Sequence, residues 1–450
     1  MIQITMGNCY SKILGCNSGE EDIVDKVCSY RPEGYYFMGK YKTGEWDGRI
    51  RLYRWNTFPT GLLGLVTKEL RKNVIKYILY DARKKPKKLI NIKLKRKLRD
   101  YQRKVREQAI DRERGVLWIP TGAGKTLLAT GIIAQLGVKT LYIVHTKDLM
   151  YQTQKMLSED LGVKIGILGD GKVEIENVTV GMIQTLYSQS KKYKEYFSSI
   201  GCLIFDEAHH SQARSWQRVA LKIPAFYRYA MSGSPYRGIE KDILLRAITG
   251  KIIVQITSSE LIEKGYLVSP VIKMIEVDSD TFEGDEYREV YRKGIMENEK
   301  RNLLITSYAL DRAYMRRMKV LVLVTRIEHG KLLEKSIKGS KFIHGKKDSK
   351  ERTDALEDFR KGKIKVLIGS TILDEGIDVC SINTIILAGG GLSDLKTIQR
   401  IGRCLRPFKG KKEAYVIDFY DRGNKILRGH SRHRLALYRS EPAFKLVEER

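Results

Sequence analysis

The chain has 450 residues, 42% of them hydrophobic, and a formal net charge of +30, which suits about three packed domains and far exceeds the charge that solubility needs. No apolar run approaches the roughly 18 residues of a membrane span and the N-terminus lacks the basic and apolar regions of a signal peptide, so no membrane association and a cytoplasmic location are expected. Six cysteines are too few for a disulfide framework, Cys9, Cys16 and Cys28 read as buried thiols rather than zinc ligands, and the positive charge leaves a polyanion as the inferred partner.

Residues 1–85 read as a small α+β domain. Its aromatics, Tyr35, Tyr36, Phe37, Tyr41, Trp46, Tyr53, Trp55 and Phe58, are interleaved with basic residues. Alternation from Arg49 to Trp55 predicts a strand with one basic face, after a turn at Trp46-Asp47-Gly48. Arg49 and Arg51 on that face, with Arg54 near its end, are candidate phosphate contacts, whereas the rings are expected mostly to form the domain's core. From Arg83 to Arg99 the chain has no acidic residue and ten basic ones. It reads as a linker running beside a polyanion.

A charged helix follows, with Gln102 near its head. A glutamine amide offers the paired donor and acceptor that an adenine edge requires. About twenty residues on comes the run Pro120-Thr121-Gly122-Ala123-Gly124-Lys125-Thr126, between an apolar strand (Val116 to Ile119) and a helix-like stretch. In such a loop glycines let successive backbone N–H groups turn toward a phosphate, and the helix N-terminus adds positive potential. Lys125 then reaches the β- and γ-phosphates and Thr126 ligates Mg²⁺. The loop is a glycine-poor variant, with Ile119 where the strict pattern has its first glycine.

Apolar strands then alternate with helical stretches: 140–144, 178–180, 202–205 and 229–232. That rhythm predicts a doubly wound parallel sheet with its ligands at the carboxyl ends of the strands. Asp206 and Glu207, directly after the third strand, fit a partner for Mg²⁺ and a base for the attacking water. A second alternating set, with strands at 319–324, 341–344, 365–370, 384–388 and 414–419, predicts a second lobe. Near its end Arg403 and Arg406, three apart on a helix, face the same way and suit a phosphate chain.

Taken in order, these segments resemble the superfamily 2 helicases and translocases over residues 98–438. The glycine loop is similar to motif I, Asp206-Glu207-Ala208-His209 to motif II in its DEAH form, Ser232-Gly233-Ser234 to motif III, Thr371, Gly376 and Asp378 to motif V, and Gln399, Gly402, Arg403 and Arg406 to motif VI. Within that superfamily the chain most resembles the phage UvsW-type recombination helicases. The resemblance implies two tandem RecA-like lobes, 86–265 and 266–450, behind an N-terminal nucleic-acid-binding domain, 1–85. It implies ATP and Mg²⁺ as cofactors, with Thr121, Gly122, Ala123, Gly124, Lys125 and Thr126 around the phosphates, Gln102 on adenine and Asp378 on ribose. Asp206 and Glu207 serve hydrolysis, completed by Gln399, Arg403 and Arg406. Thr146, Thr185, Arg326 and Thr371 touch the backbone of one nucleic-acid strand. The implied activity is ATP-driven remodelling of branched DNA by a monomer. The rival readings are an RNA helicase and an ATPase switch that does not unwind.

Overall fold

A computed structural model describes every residue except 33, 90, 208–213, 234–242, 371–381, 393–396, 398–399, 403, 409, 412 and 450. Of the expected site residues, Thr371, Asp378, Gln399 and Arg403 lie outside the described residues, as do Ala208, His209, Ser234 and Gly376 of the motifs. The chain divides into two compact units, residues 1–119 with 124–255, and residues 120–123 with 256–450. No helix among the described residues is long and apolar enough to cross a membrane.

Among the described residues the first unit carries a four-stranded sheet, an eight-stranded sheet and a separate two-stranded one. The N-terminal one has strand order β5-β2-β1-β6, from β1 (Ile2–Met6), β2 (Tyr10–Leu14), β5 (Thr57–Pro59) and β6 (Tyr77–Asp81), while β3 (Ser29–Tyr30) and β4 (Ile50–Arg51) pair separately. Alternation in β1 and β2 buries Ile2, Ile4, Ser11 and Ile13 and exposes Gln3, Thr5, Lys12 and Leu14. The buried face packs on the helices Ser18–Val27 and Leu63–Lys72 through Val24, Val66 and Leu70, with Cys28 in the same core.

Two expectations for this region are corrected. The strand predicted over residues 49–55 is only Ile50–Arg51. It ends early because Trp55 and Asn56 both have left-handed φ, 48° and 57°, and reverse the chain so that Arg54 bridges Thr57. Nor do the aromatics form the core: of the eight, only Phe58 is buried, whereas Tyr36, Phe37 and Trp55 are 53%, 71% and 90% exposed. Left-handed backbone at a bulky residue costs on the order of 1–3 kcal/mol.

This domain is fastened to the parallel sheet behind it. Arg228, fully buried, donates to the carbonyls of Ala220, Ile223 and Ile248 and reaches Cys9 Sγ at 3.6 Å. Arg114 Nη1 donates to Asn8 O at 3.1 Å. Gly61 lies so close to Arg246 O that a Cβ would stand 1.9 Å from it, an approach only glycine permits. The basic segment 83–99 is likewise a strap rather than a free linker. Leu89 and Lys95 donate backbone bonds to Gly137 and Asp160, Arg96 pairs with Asp160, and Ile92 and Leu98 are buried.

The main sheet of the first unit contains β7 (Arg114–Trp118), β8 (Thr140–Val144), β9 (Gly166–Gly169), β10 (Lys172–Glu174), β11 (Val178–Met182), β12 (Cys202–Phe205), β13 (Tyr227–Ser232) and β14 (Ile252–Gln255). Its order is β10-β9-β11-β8-β12-β13-β7-β14, and every pairing except β10 with β9 is parallel. β7 and β8, successive in the chain, lie on opposite sides of β12 and β13. That reversal of winding leaves a crevice at the carboxyl ends, where such sheets bind ligands.

The second unit has the order β17-β18-β16-β19-β20-β15-β21, all parallel, from β15 (Ser269–Val277), β16 (Val320–Leu323), β17 (Ser340–Ile343), β18 (Val366–Gly369), β19 (Thr384–Ile386), β20 (Glu413–Asp421) and β21 (Lys445–Glu449). Both units are thus RecA-like in architecture, as the expected fold class requires. β20 also carries two buried carboxylates. Asp418 takes Arg434 at 2.7 Å and the Tyr438 hydroxyl at 2.6 Å, and Asp421 takes Arg301 at 2.8 Å. The Asp418 pair locks the C-terminal helix Lys425–Arg439 onto the sheet and the Asp421 pair does the same for the helix Glu299–Leu310, since removing one partner strands a buried charge.

Candidate active site

The glycine loop leaves the carboxyl end of β7 and enters the helix Lys125–Leu136. Gly124, at the helix N-cap, has φ 77°, and a Cβ there would stand 2.8 Å from Gln102 Nε2. The left-handed backbone favours glycine, and any Cβ would push the Gln102 amide aside. Pro120 O accepts from Ala123 N at 3.3 Å, closing the turn, and Thr121 Oγ1 is buried with no hydrogen-bond partner among the described residues. The helix is buried from Leu128 to Ala134 and stops at Gly137, φ 60°, so its N-terminus is rigidly aimed.

β7 and β12 flank β13, so the loop and the carboxylates after β12 start about 9.5 Å apart, twice the inter-strand spacing. The Lys125 side chain crosses that gap. Its Nζ lies 3.1 Å from Glu207 Oε1, and both side chains are mostly buried. Asp206 is 6% exposed; it accepts from the Glu207 N–H through Oδ1 and from the Tyr142 hydroxyl through Oδ2, each at 2.9 Å. Burial first, and then the Glu207 charge, push the Asp206 carboxyl above its ordinary range, while Lys125 pulls it back. Glu207 has φ 46°, a strained backbone of the kind that marks functional turns.

Tyr142 is the residue that sequence reasoning missed. It pairs with Ile204 in the β8–β12 register, and Ile204 and Asp206 share a face, so the phenol points along that face to the carboxylate. It also interacts with Thr126. A phenol in the middle of the otherwise apolar Thr140–Val144 was the available signal. Tyr142→Phe removes one of the hydrogen bonds to the buried Asp206 carboxylate, worth roughly 1.5–3 kcal/mol. We expect turnover to fall about ten- to a hundredfold and the melting temperature to drop by roughly 2–4 °C for each kcal/mol of stability lost. An unaltered ATPase rate shows that Asp206 is placed without the phenol.

Thr126, at the head of the helix, and Asp206, after β12, offer a hydroxyl and a carboxylate as hard oxygen donors. That set fits Mg²⁺, which keeps most of its waters and takes one or two carboxylates. Gln102, 1% exposed, accepts from Arg99 N at 3.0 Å and donates to Gly124 O at 3.4 Å. Its amide faces the loop with both ends engaged.

The candidate nucleic-acid residues are scattered. Thr146 caps the helix Lys147–Leu161, accepting from Leu149 N at 3.3 Å, and Thr185 lies in the helix Ile183–Ser188. Gln184 Nε2 donates to His145 O at 2.8 Å and ties these two strand ends together. In the second unit Arg326 precedes the helix Ile327–Ser336, with its guanidinium 5.9 Å from the Tyr291 ring centroid. It borders a cavity of about 550 Å³ shared with Arg288, Arg292, Glu286 and Glu289. Arg406 is half-buried in a bend after the turn at Leu405, so it does not lie on the helix expected to carry it.

In the N-terminal domain Arg49 Nη1 donates to Ser29 Oγ at 3.1 Å. Arg51 is the most committed, bound to Asp25 at 2.8 Å and to both oxygens of Asp47 at 3.1 and 2.7 Å. Its guanidinium and the Arg49 N–H hold the Asp47 carboxyl down at about 2. The Arg54 side chain is exposed.

Residues 10–80 match the family described as DNA helicase UvsW, N-terminal; residues 95–237 match Type III restriction enzyme, res subunit; and residues 299–407 match Helicase conserved C-terminal domain. The chain is 28% identical over 382 residues to the DNA 3'-5' translocase XPB2 of Sulfurisphaera tokodaii, covering 76% of this chain and 86% of that protein. It is 27% identical over 437 residues to the ATP-dependent DNA helicase uvsW of Enterobacteria phage T4, covering 87% of this chain and 85% of that one. Among solved structures, a fragment of a putative HsdR subunit of a type I restriction enzyme from Vibrio vulnificus has the same fold. It covers 91% of this chain and 76% of its own, at 16% identity and a TM-score of 0.62.

Proposed function

The chain belongs to the superfamily 2 helicases, with a UvsW-type segment ahead of the motor, and from that premise we propose that this ATP-dependent DNA helicase or translocase remodels branched DNA. The observation that carries the motor is the meeting of Lys125, Asp206 and Glu207 at the carboxyl ends of β7 and β12. Such a lysine binds the β- and γ-phosphates of ATP, and the backbone N–H groups from Thr121 to Lys125 cradle them. Thr126 and Asp206 would hold Mg²⁺, which would supply charge neutralisation at the phosphates. Glu207 takes the proton of the attacking water once phosphate has drawn Lys125 away from it. Gln102 is assigned to adenine. Asp378 on ribose, and Gln399, Arg403 and Arg406 in hydrolysis, are assigned on the resemblance alone. Thr146, Thr185, Arg326 and Thr371 are assigned to the tracked strand.

We divide the work among residues 1–85 for substrate choice, 86–265 for ATP binding, and 266–450 for the second motor lobe, in a monomer acting in the cytoplasm. The branched substrate rests on the N-terminal segment. Because that domain covers Arg228 and Arg114, deleting it uncovers buried charge, and surface substitutions test it better. Arg49→Gln and Arg54→Gln together are expected to weaken fork binding and to lower the salt slope, by about 0.9 for each phosphate that the variant no longer neutralises. ATPase activity on single strands should survive. Arg51→Gln should instead lower the melting temperature, because Arg51 neutralises Asp25 and Asp47. If the Arg49/Arg54 variant keeps the wild-type fork affinity and salt slope, residues 1–85 do not select the substrate through this face.

A further inference from the structure

The turn at residues 54–57 is built tightly and displays an indole. Arg54 N donates to Thr57 O and Thr57 N to Arg54 O, each at 2.9 Å, and Thr57 Oγ1 also donates to Arg54 O at 2.8 Å. The Tyr53 hydroxyl donates to Asn56 Oδ1 at 3.1 Å, and Ile13 N donates to Asn56 O at 2.8 Å, anchoring the turn to β2. Positive φ at both central residues is the type I′ signature, and such turns select Asn-Gly or Asp-Gly. A tryptophan at the first centre works against that preference. At 90% exposure the ring returns no packing for the strain it causes.

Two exposed cationic side chains belong to the same hairpin. Lys12 lies opposite Thr57 in the β2–β5 register and is exposed, as is Arg54, and Leu14, 42% exposed, continues the same face of β2. Of the nearby acids, Asp25 and Asp47 are both held by Arg51, while Glu21 acts on Tyr53 at the shoulder of the turn. A flat apolar ring on a rigid tip between exposed cationic side chains is the arrangement that stacks on a base while the cations follow the phosphates. The net charge of +30 favours a polyanion over a protein partner poor in acidic residues.

We propose that Trp55 is a base-stacking contact, held by its turn against the exposed face of a nucleobase where the strands of branched DNA part. The proposal rests on the reading that branched DNA is the substrate.

The test is Trp55→Asn in the full chain. Asparagine suits left-handed backbone, so the melting temperature should hold or rise, which separates this role from a structural one. Fork affinity should fall roughly 5- to 100-fold, the range that aromatic stacking on a base supports. Trp55→Phe should recover most of it. Tryptophan fluorescence provides a second measurement, because the signal that the wild type has and Trp55→Asn lacks should be quenched when a synthetic fork is added. Equal fork affinity in Trp55→Asn and no fork-dependent quenching of the Trp55 signal overturn the proposal. The wild type's ratio of fork to single-strand affinity, read in the same titration, tests the substrate separately, since that ratio can stay high while Trp55 proves silent.

Discussion

Lys125→Ala abolishes ATP hydrolysis while leaving DNA affinity close to that of the wild type. The lysine is the cation at the mouth of the glycine loop, and its amine lies 3.1 Å from Glu207. Losing one preorganised charge on a phosphate costs roughly 10²- to 10³-fold in rate. Here the loss is compounded, because Glu207 then sits beside the raised Asp206 carboxyl with no cation to offset either charge. Arg49 and Arg54 of the N-terminal domain are untouched, so a fork-binding isotherm measured without nucleotide should match the wild type. A steady-state ATPase assay is the check. Turnover at the wild-type rate means that the loop between β7 and its helix does not bind the triphosphate.

Glu207→Gln separates binding from chemistry. Glutamine keeps the shape of the side chain, and Asp206 keeps its bonds from Tyr142 and from the residue-207 N–H. Mg²⁺-ATP should therefore still bind, with affinity no worse than in the wild type, because the lysine no longer leaves a carboxylate to reach the phosphate. The lost base costs about 10²- to 10⁴-fold in turnover, and the protein should accumulate with ATP and DNA both bound. Fluorescent-nucleotide binding and single-turnover hydrolysis distinguish the two steps. If the variant fails to bind ATP, Glu207 belongs with the metal or the fold rather than with the water.

Much of this site can be read in the residues. The strand-loop-helix pattern around Gly122 and Gly124 is local, and a parallel sheet buried on both faces writes each central strand as a short apolar run. The bounds of Cys202–Phe205 are therefore visible in the sequence, and the carboxylates after it follow. The interaction of Tyr142 with Asp206 is not legible, because it depends on the register between β8 and β12 rather than on spacing along the chain. β15 is hidden for a different reason. Its alternation, Val271 and Lys273 partly exposed and Ile272 and Met274 buried, begins at a serine and a proline, residues that ordinarily mark a loop.

In the N-terminal domain the pattern misleads. Interleaved aromatic and basic residues over 49–55 look like an amphipathic strand, but nothing in the pair Trp55-Asn56 announces a type I′ turn, whose usual glycine is missing. The basic strap looks like a free linker because composition reports charge and is silent about the two buried positions, Ile92 and Leu98, that pin it down.

ATP hydrolysis at Lys125, Asp206 and Glu207 is expected to move DNA branches. The most direct measurement is the conversion of a synthetic four-way junction into two forked duplexes, followed on a native gel alongside phosphate release. The account predicts junction conversion by the wild type with ATP, none with a non-hydrolysable analogue, and none by Lys125→Ala or Glu207→Gln. DNA-stimulated phosphate release by the wild type, with the junction left intact, contradicts it.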